Sequence, residues 1–321
     1  MRNRAFLSRG VRVLGSALAL FLIFNFVSMG DVWEGFRRLP LPVWLAALVL
    51  FLAGHALSAA KWALLIDARL PFGRIFRAHL AGLAANLALP GVAGGDVVRA
   101  GLVYNLVPEK GRLAAGSLAD RLIDTLALLL ITLAGAWALW GGAVSFIAVA
   151  WRLAAIALPV GALLLATARF ERFWPRHFAE YRSRPIRLAA KLANACAQLA
   201  AEPWRLVACL AISLAVQTLF VAINAQIAGY LDLQIAFAGW AYAWAGAKIV
   251  AILPISLGGL GVREGTMAMM LQPHGGSPRG VVATGLLWQT ILYASGVLGL
   301  LVQTLAERPA AAAEPAPQEP A

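Results

Sequence analysis

Leu89-Pro90-Gly91-Val92-Ala93-Gly94-Gly95-Asp96-Val97-Val98-Arg99 returns later in the chain as Leu253-Pro254-Ile255-Ser256-Leu257-Gly258-Gly259-Leu260-Gly261-Val262-Arg263. Both stretches read Leu-Pro, three residues, Gly-Gly, two residues, Val-Arg, and one constant offset superposes all six identities. Proline and paired glycines interrupt helices. Glycine also permits positive φ and close approach of backbone. Pro90, Gly94, Gly95, Pro254, Gly258, Gly259 and Gly261 therefore mark two matching breaks, each flanked by short apolar arms: about 76–89 and up to Val107 around the first, about 236–253 and up to Leu271 around the second.

Moving outward, the same offset lays an apolar run at about 42–66 on one at about 206–230, and a run at about 118–140 on one at about 280–304. A further pair, about 11–29 and about 144–167, matches if the basic stretch 169–205 is an insertion. A hydrocarbon core of about 30 Å needs about 20 mostly apolar residues per helix, and six runs meet that length. The chain is 61% hydrophobic and 13% charged, against roughly 25% charged in soluble domains. The expected fold is an all-α polytopic membrane protein, with about six full transmembrane helices and two re-entrant broken-helix hairpins in two inverted repeats. Eight ordinary spans, with the breaks as mere kinks, is the alternative, and it leaves both termini on the same side as well.

One transmembrane domain is expected over 1–306, with repeat 1 at about 10–140, repeat 2 at about 144–305 and a basic cytoplasmic loop at 169–205. Part of that loop, about 186–200, reads as an amphipathic helix on the inner leaflet. The Ala/Pro/Glu tail 307–321 reads as disordered. Arg2, Arg4, Arg9 and Arg12 precede the apolar run Val13–Val27. No small-x-small cleavage site follows, so the run reads as an uncleaved first helix. Arg152 sits inside the run 144–167, either snorkelling or facing the bundle. Gly30 to Leu41 reads as a loop.

The net charge of +12 lies in short segments between apolar runs, as the positive-inside rule requires. It argues for anionic lipid at the membrane surface and against nucleic acid. Cys196 and Cys209 form no metal or disulfide pattern and read as reduced, inert thiols. No metalloprotease, hydrolase or phosphate-loop motif occurs, so neither a catalytic residue, a metal nor a cofactor is expected.

Ionisable groups within a membrane are costly and are usually paired or functional. Asp96 and Arg99 flank the first break at i,i+3 spacing, and Arg263 and Glu264 flank the second. Each acid either neutralises its arginine or leaves it free to bind an anionic headgroup, for which a planar guanidinium is suited. Helix N-termini near Asp96 and Gly261 would also favour an anion. Lys248 is either a structural, snorkelling lysine or a substrate or coupling group. Asn86 is placed to cap backbone freed by the first break. Arg121 and Asp124 read as one i,i+3 pair, while Lys61 and His55 read as structural or coupling groups, His55 being a satisfied bundle histidine. Asn224 and Gln226 read as interhelical hydrogen-bonding groups.

Pro90-x-x-x-Gly94-Gly95-Asp96-x-x-Arg99, then Arg121-x-x-Asp124, then Pro254-x-x-x-Gly258-Gly259-x-Gly261-x-Arg263-Glu264 together resemble the flippase-like family, also called the lysylphosphatidylglycerol synthase transmembrane region. The resemblance spans about residues 10–305. It implies a multi-pass protein of the bacterial inner membrane, with both termini cytoplasmic, that moves a phospholipid or isoprenoid-type lipid between leaflets. In the family's multiple peptide resistance factors a cytosolic aminoacyl-transferase domain accompanies this region. This chain instead ends in its Pro/Ala tail, so the expectation is a lipid transporter and not a synthase. Membrane lipids are the expected partners. Lipid-biosynthesis enzymes are further candidates, and homo-oligomer formation is left open. A lipid-modifying membrane enzyme using Asp96 or Glu264 as base, and a non-transporting scaffold acting through 169–205, are the rival readings.

Overall fold

A computed structural model describes residues 29–67, 69–88, 93–141, 194–251 and 261–306. The predicted helices at 11–29 and 144–167, Arg152, most of the basic loop, the Leu89–Val92 and Ile252–Leu260 breaks, and the tail lie outside the described residues. Every regular element among those described is helical. In chain order they are α1 (Met29–Arg38), α2 (Leu41–Ile66), α3 (Phe72–Ala88), α4 (Ala93–Val103), α5 (Lys110–Trp140), α6 (Pro203–Gly229), α7 (Phe237–Val250), α8 (Val262–Leu271) and α9 (Pro278–Ala306), with a 3₁₀ turn at Gln272–His274. Residues 194–200 are also helical.

Four of these, α2, α5, α6 and α9, are long and apolar enough to cross a membrane. Their starts and stops follow from local chemistry. Pro42 and Pro203 sit in the first turns of α2 and α6, where the missing N–H is harmless. Gly141 ends α5 in the left-handed region at φ 56°, the usual role of a C-terminal glycine. Two boundaries differ from the sequence reading. Residues 30–38 are helix and not loop, held by the i,i+4 pair Glu34–Arg38 at 2.9 Å and by Arg38–Asp232 at 2.7 Å. The fifth helix begins at Lys110 and not near 118, because its polar first turns pack inward: Arg112 donates to the Leu65 carbonyl at 3.0 Å.

The ends of the helices sort into two groups. At one end of the bundle, Ile66, Asp67, Arg69, Leu70 and Leu106–Glu109 line one cleft with Gln198 and Glu202, Arg205 meets Asp67, and Gln303 donates to the Arg77 carbonyl at 2.9 Å. At the other end, Arg38 meets Asp232 and the Trp140, Tyr242 and His274 rings cluster. Thus α3 starts and α4 finishes at the first end, whereas α7 starts and α8 finishes at the second. Helix α3 packs on α4 and α9; α7 packs on α8 and α5. The first arm of each pair therefore leans on the long helix that follows the other pair.

Two glycines make those crossings. A Cβ on Gly135 of α5 would lie 2.7 Å from the Ala238 carbonyl of α7, and one on Gly299 of α9 would collide with the Leu80 carbonyl of α3. The obstacles are backbone atoms, so neither crossing can yield by a rotamer change. Gly135→Val and Gly299→Val are each expected to lose about 1–3 kcal/mol through overpacking, read as a lower unfolding midpoint in detergent. A wild-type midpoint in either would show that the crossing has slack.

Between α2, α6, α7 and α9 lies an aromatic core. Phe51 stacks on Phe220 at 5.1 Å, and Trp288 meets Phe220 at 5.6 Å and Trp244 at 5.8 Å. The helical stretch 194–200 buries Ala195 and Leu199 against Leu65 and Cys209. Burial pushes the Cys196 thiol above its ordinary range, which keeps it protonated and unreactive. Cys196 and Cys209 are both free.

Candidate functional site

The polar residues of the bundle interior form one connected chain and one separate cluster. Lys61 of α2, fully buried, pairs with Asp124 and lies 3.0 Å from Asp120 Oδ1. The Lys61–Asp120 contact is an ion pair without hydrogen-bond alignment, since Asp120 Oδ1 accepts no hydrogen bond. Asp120 accepts from Arg99 of α4 at 2.6 Å, and Arg99 also lies 3.1 Å from Asp96. Asp96 in turn accepts from both Nε and Nη2 of Arg121. Ser213 of α6 donates to Asp124. The Arg99 guanidinium stands 4.6 Å over the Trp62 ring.

Two histidines extend this chain. Arg99 Nη1 lies 3.3 Å from His79 Nδ1, and His79 Nε2 lies 3.0 Å from His55 Nδ1. Arginine has donors only, so His79 must accept at Nδ1 and carry its proton on Nε2. It then donates to His55 Nδ1, which leaves His55 protonated on Nε2. The contacts thus assign both tautomers and make both rings neutral, and His55 is bonded within the bundle as expected.

The second cluster surrounds Gly261, whose φ of +82° suits glycine alone. Glu264, fully buried, accepts from the Gly261 N–H at 2.7 Å and from Arg263 Nε at 3.0 Å. Arg263 Nη2 also donates to Gln289 of α9 at 3.0 Å. Lys248 stands apart. Its ammonium donates to Gln217 of α6 at 2.9 Å and sits 4.8 Å over the Trp244 ring and 5.5 Å over Phe220. Gln217 and Ser213 are one turn apart on α6, so Lys248 and Asp124 address adjacent positions of a single helix face.

Several expectations change. Arg121 and Asp124 do not pair with each other: Arg121 turns to Asp96 on α4, and Asp124 turns to Lys61 and Ser213. At each break one backbone N–H is already taken: Asn86 accepts from the Gly95 N–H at 2.9 Å and Glu264 from the Gly261 N–H. Asn86 therefore does cap backbone across the first break. A Cβ on Gly95 would meet Asn86 Oδ1 at 2.5 Å, so this glycine lets α3 and α4 touch; Gly94 precedes it in α4. Asn224 donates to its own helix at the Phe220 carbonyl and makes no interhelical bond among the described residues, while Gln226 is exposed. Asp120, His79, Ser213, Gln217 and Gln289 escape a reading by local spacing. Asp120 carried one usable signal, its i,i+4 relation to Asp124 within an apolar helix. Pro90, Pro254, Gly258 and Gly259 lie outside the described residues.

Four long apolar helices, two interrupted helix pairs and charge gathered between them define a multi-pass, all-helical membrane protein. Residues 10–299 match the family described as the lysylphosphatidylglycerol synthase TM region. The match covers most of the 321 residues, and the chain belongs to that family, which ties it to membrane lipids. A comparison with curated proteins finds no match.

Proposed function

We propose that this protein is a flippase that moves a phospholipid or isoprenoid-type lipid between the leaflets of the bacterial inner membrane. The headgroup passes between the two interrupted helix pairs while the tails stay in lipid. The observation that carries this reading is the opposed placement of the two pairs, α3–α4 from one end of the bundle and α7–α8 from the other, with ionised side chains gathered between them. Broken helices in corresponding positions of inverted repeats mark transporter binding sites. In this reading the chain is one transmembrane domain, with about six full spans, two re-entrant hairpins and both termini cytoplasmic.

The repeat has support beyond the sequence offset. The shift that carries Arg99 onto Arg263 also carries Gly135 onto Gly299, and these are the two glycines at the crossings with the opposite arms. Arg99 and Arg263 flank the path, each already held by a carboxylate, and a headgroup phosphate joins them by bidentate contacts that lysine cannot reproduce. Arg99→Lys and Arg263→Lys keep the charge and are expected to yield folded protein with translocation in proteoliposomes reduced about tenfold or more. Wild-type rates in both variants would remove the arginines from the path.

A further inference from the structure

Among the described residues, the ionised groups of the bundle interior do not balance. Lys61, Arg99, Arg121, Lys248 and Arg263 are cationic; Asp96, Asp120, Asp124 and Glu264 are anionic; His55 and His79 are neutral by their hydrogen bonds. Every one of these cations except Lys248 has a carboxylate within ion-pair distance. Among the described residues Lys248 has only an amide oxygen and two aromatic faces. An uncompensated charge within a membrane is expensive, so a surplus cation at this depth calls for an anion.

The surroundings are rich in donors and poor in acceptors. The ammonium has three N–H groups and gives one to Gln217 Oε1, so the remaining two are available among the described residues. Trp244, whose ring carries the ammonium, is buried, and among the described residues its indole N–H finds no acceptor. A buried donor left unpaired costs about 1–3 kcal/mol, which an acceptor oxygen would recover. Lys248 itself is only partly buried, unlike Lys61, which is fully buried. It is also within electrostatic reach of Asp124, Arg121, Arg263 and Lys61, drawn from both halves of the chain. Gln217 lies near the middle of α6, which puts the site midway through the bundle.

We propose that Lys248, with Gln217 and Trp244, forms the subsite for the phosphate of an anionic phospholipid. This rests on the lipid reading above and names the part of the path where the net negative charge is held. Arg99 and Arg263, each already held by a carboxylate, give the phosphate hydrogen bonds along the path; Lys248, which has no carboxylate among the described residues, holds its net negative charge.

The test uses the purified full chain in detergent, with binding read as the rise in unfolding midpoint on titration. The probes are dioctanoyl phosphatidylglycerol, dioctanoyl phosphatidylcholine and glycerol 3-phosphate. Phosphatidylglycerol is expected to stabilise the wild type, with the other two weaker. Lys248→Met should weaken the phosphatidylglycerol response about tenfold or more, while Lys248→Arg should retain most of it. A wild-type response in Lys248→Met overturns the subsite. An equal response to phosphatidylcholine overturns the anionic selectivity, and an equal response to glycerol 3-phosphate makes the ligand a soluble phosphate ester and not a lipid. Leaflet exchange of a fluorescent phospholipid by the wild type in proteoliposomes separates the two claims. Exchange with an unaffected Lys248→Met overturns the subsite alone, whereas absence of exchange overturns the flippase reading whatever Lys248 binds.

Discussion

Replacing Asp120 with alanine is expected to destabilise this protein more than any other single change to the first charge cluster. Asp120 is almost fully buried and is the one carboxylate shared by Lys61 and Arg99. Its loss leaves Arg99 to compete with Arg121 for Asp96, and Lys61 dependent on Asp124 alone. Breaking a buried pair by removing one partner costs about 3–5 kcal/mol, because a desolvated charge is left behind. The measurement is the unfolding midpoint and the monodisperse fraction in detergent. Lys61→Met combined with Asp120→Leu removes one charge of each sign, leaving Arg99, Arg121, Asp96 and Asp124 balanced. The double variant should therefore be more stable than Asp120→Ala, since apolar replacement of a whole buried pair is often neutral. A single Asp120→Ala variant as stable as wild type would mean that water or another group compensates the two cations.

How far the sequence reaches depends on which force sets each feature. The long helices at 41–66, 203–229 and 278–306 fall within a few residues of their apolar runs, because a bilayer forces apolar residues to be contiguous along the chain. The start of α5 does not, because Lys110 and Arg112 bond to backbone carbonyls of the protein, and hydropathy scores them as loop. The arms at 72–88 and 237–250 are legible because proline and glycine act locally. Partner choice is the part that local spacing cannot supply. Arg121 and Asp124 are three residues apart and would meet on an isolated helix, yet α4 offers Arg121 a carboxylate and α2 offers Asp124 an ammonium. His79 has no polar partner at helical spacing on its own arm that would mark it, and only the approach of α2 to α3 brings it to His55. Lys248 is visible in the sequence as a charge, but its lack of a counterion among the described residues emerges only after Lys61, Arg99, Arg121 and Arg263 have found theirs.

Glu264→Gln is expected to have the second large effect, at the other cluster. The carboxylate is fully buried and does two things: one oxygen caps the Gly261 N–H, and the other holds Arg263. A glutamine amide can keep the cap through its oxygen but cannot neutralise the guanidinium, which is itself 7% exposed. The expected loss is again about 3–5 kcal/mol, read as a fall in unfolding midpoint, and lipid exchange in proteoliposomes should fall with it. Because lost stability alone could explain lost exchange, the informative companion is Arg263→Met with Glu264→Leu. That pair removes both charges and should recover most of the stability. If the charged pair takes part in handling the headgroup, the double variant folds and does not translocate. If it translocates at the wild-type rate, Arg263 and Glu264 serve only to hold α8 against α9 through Gln289, and the headgroup path must be drawn through the cations that remain, Lys248 first among them.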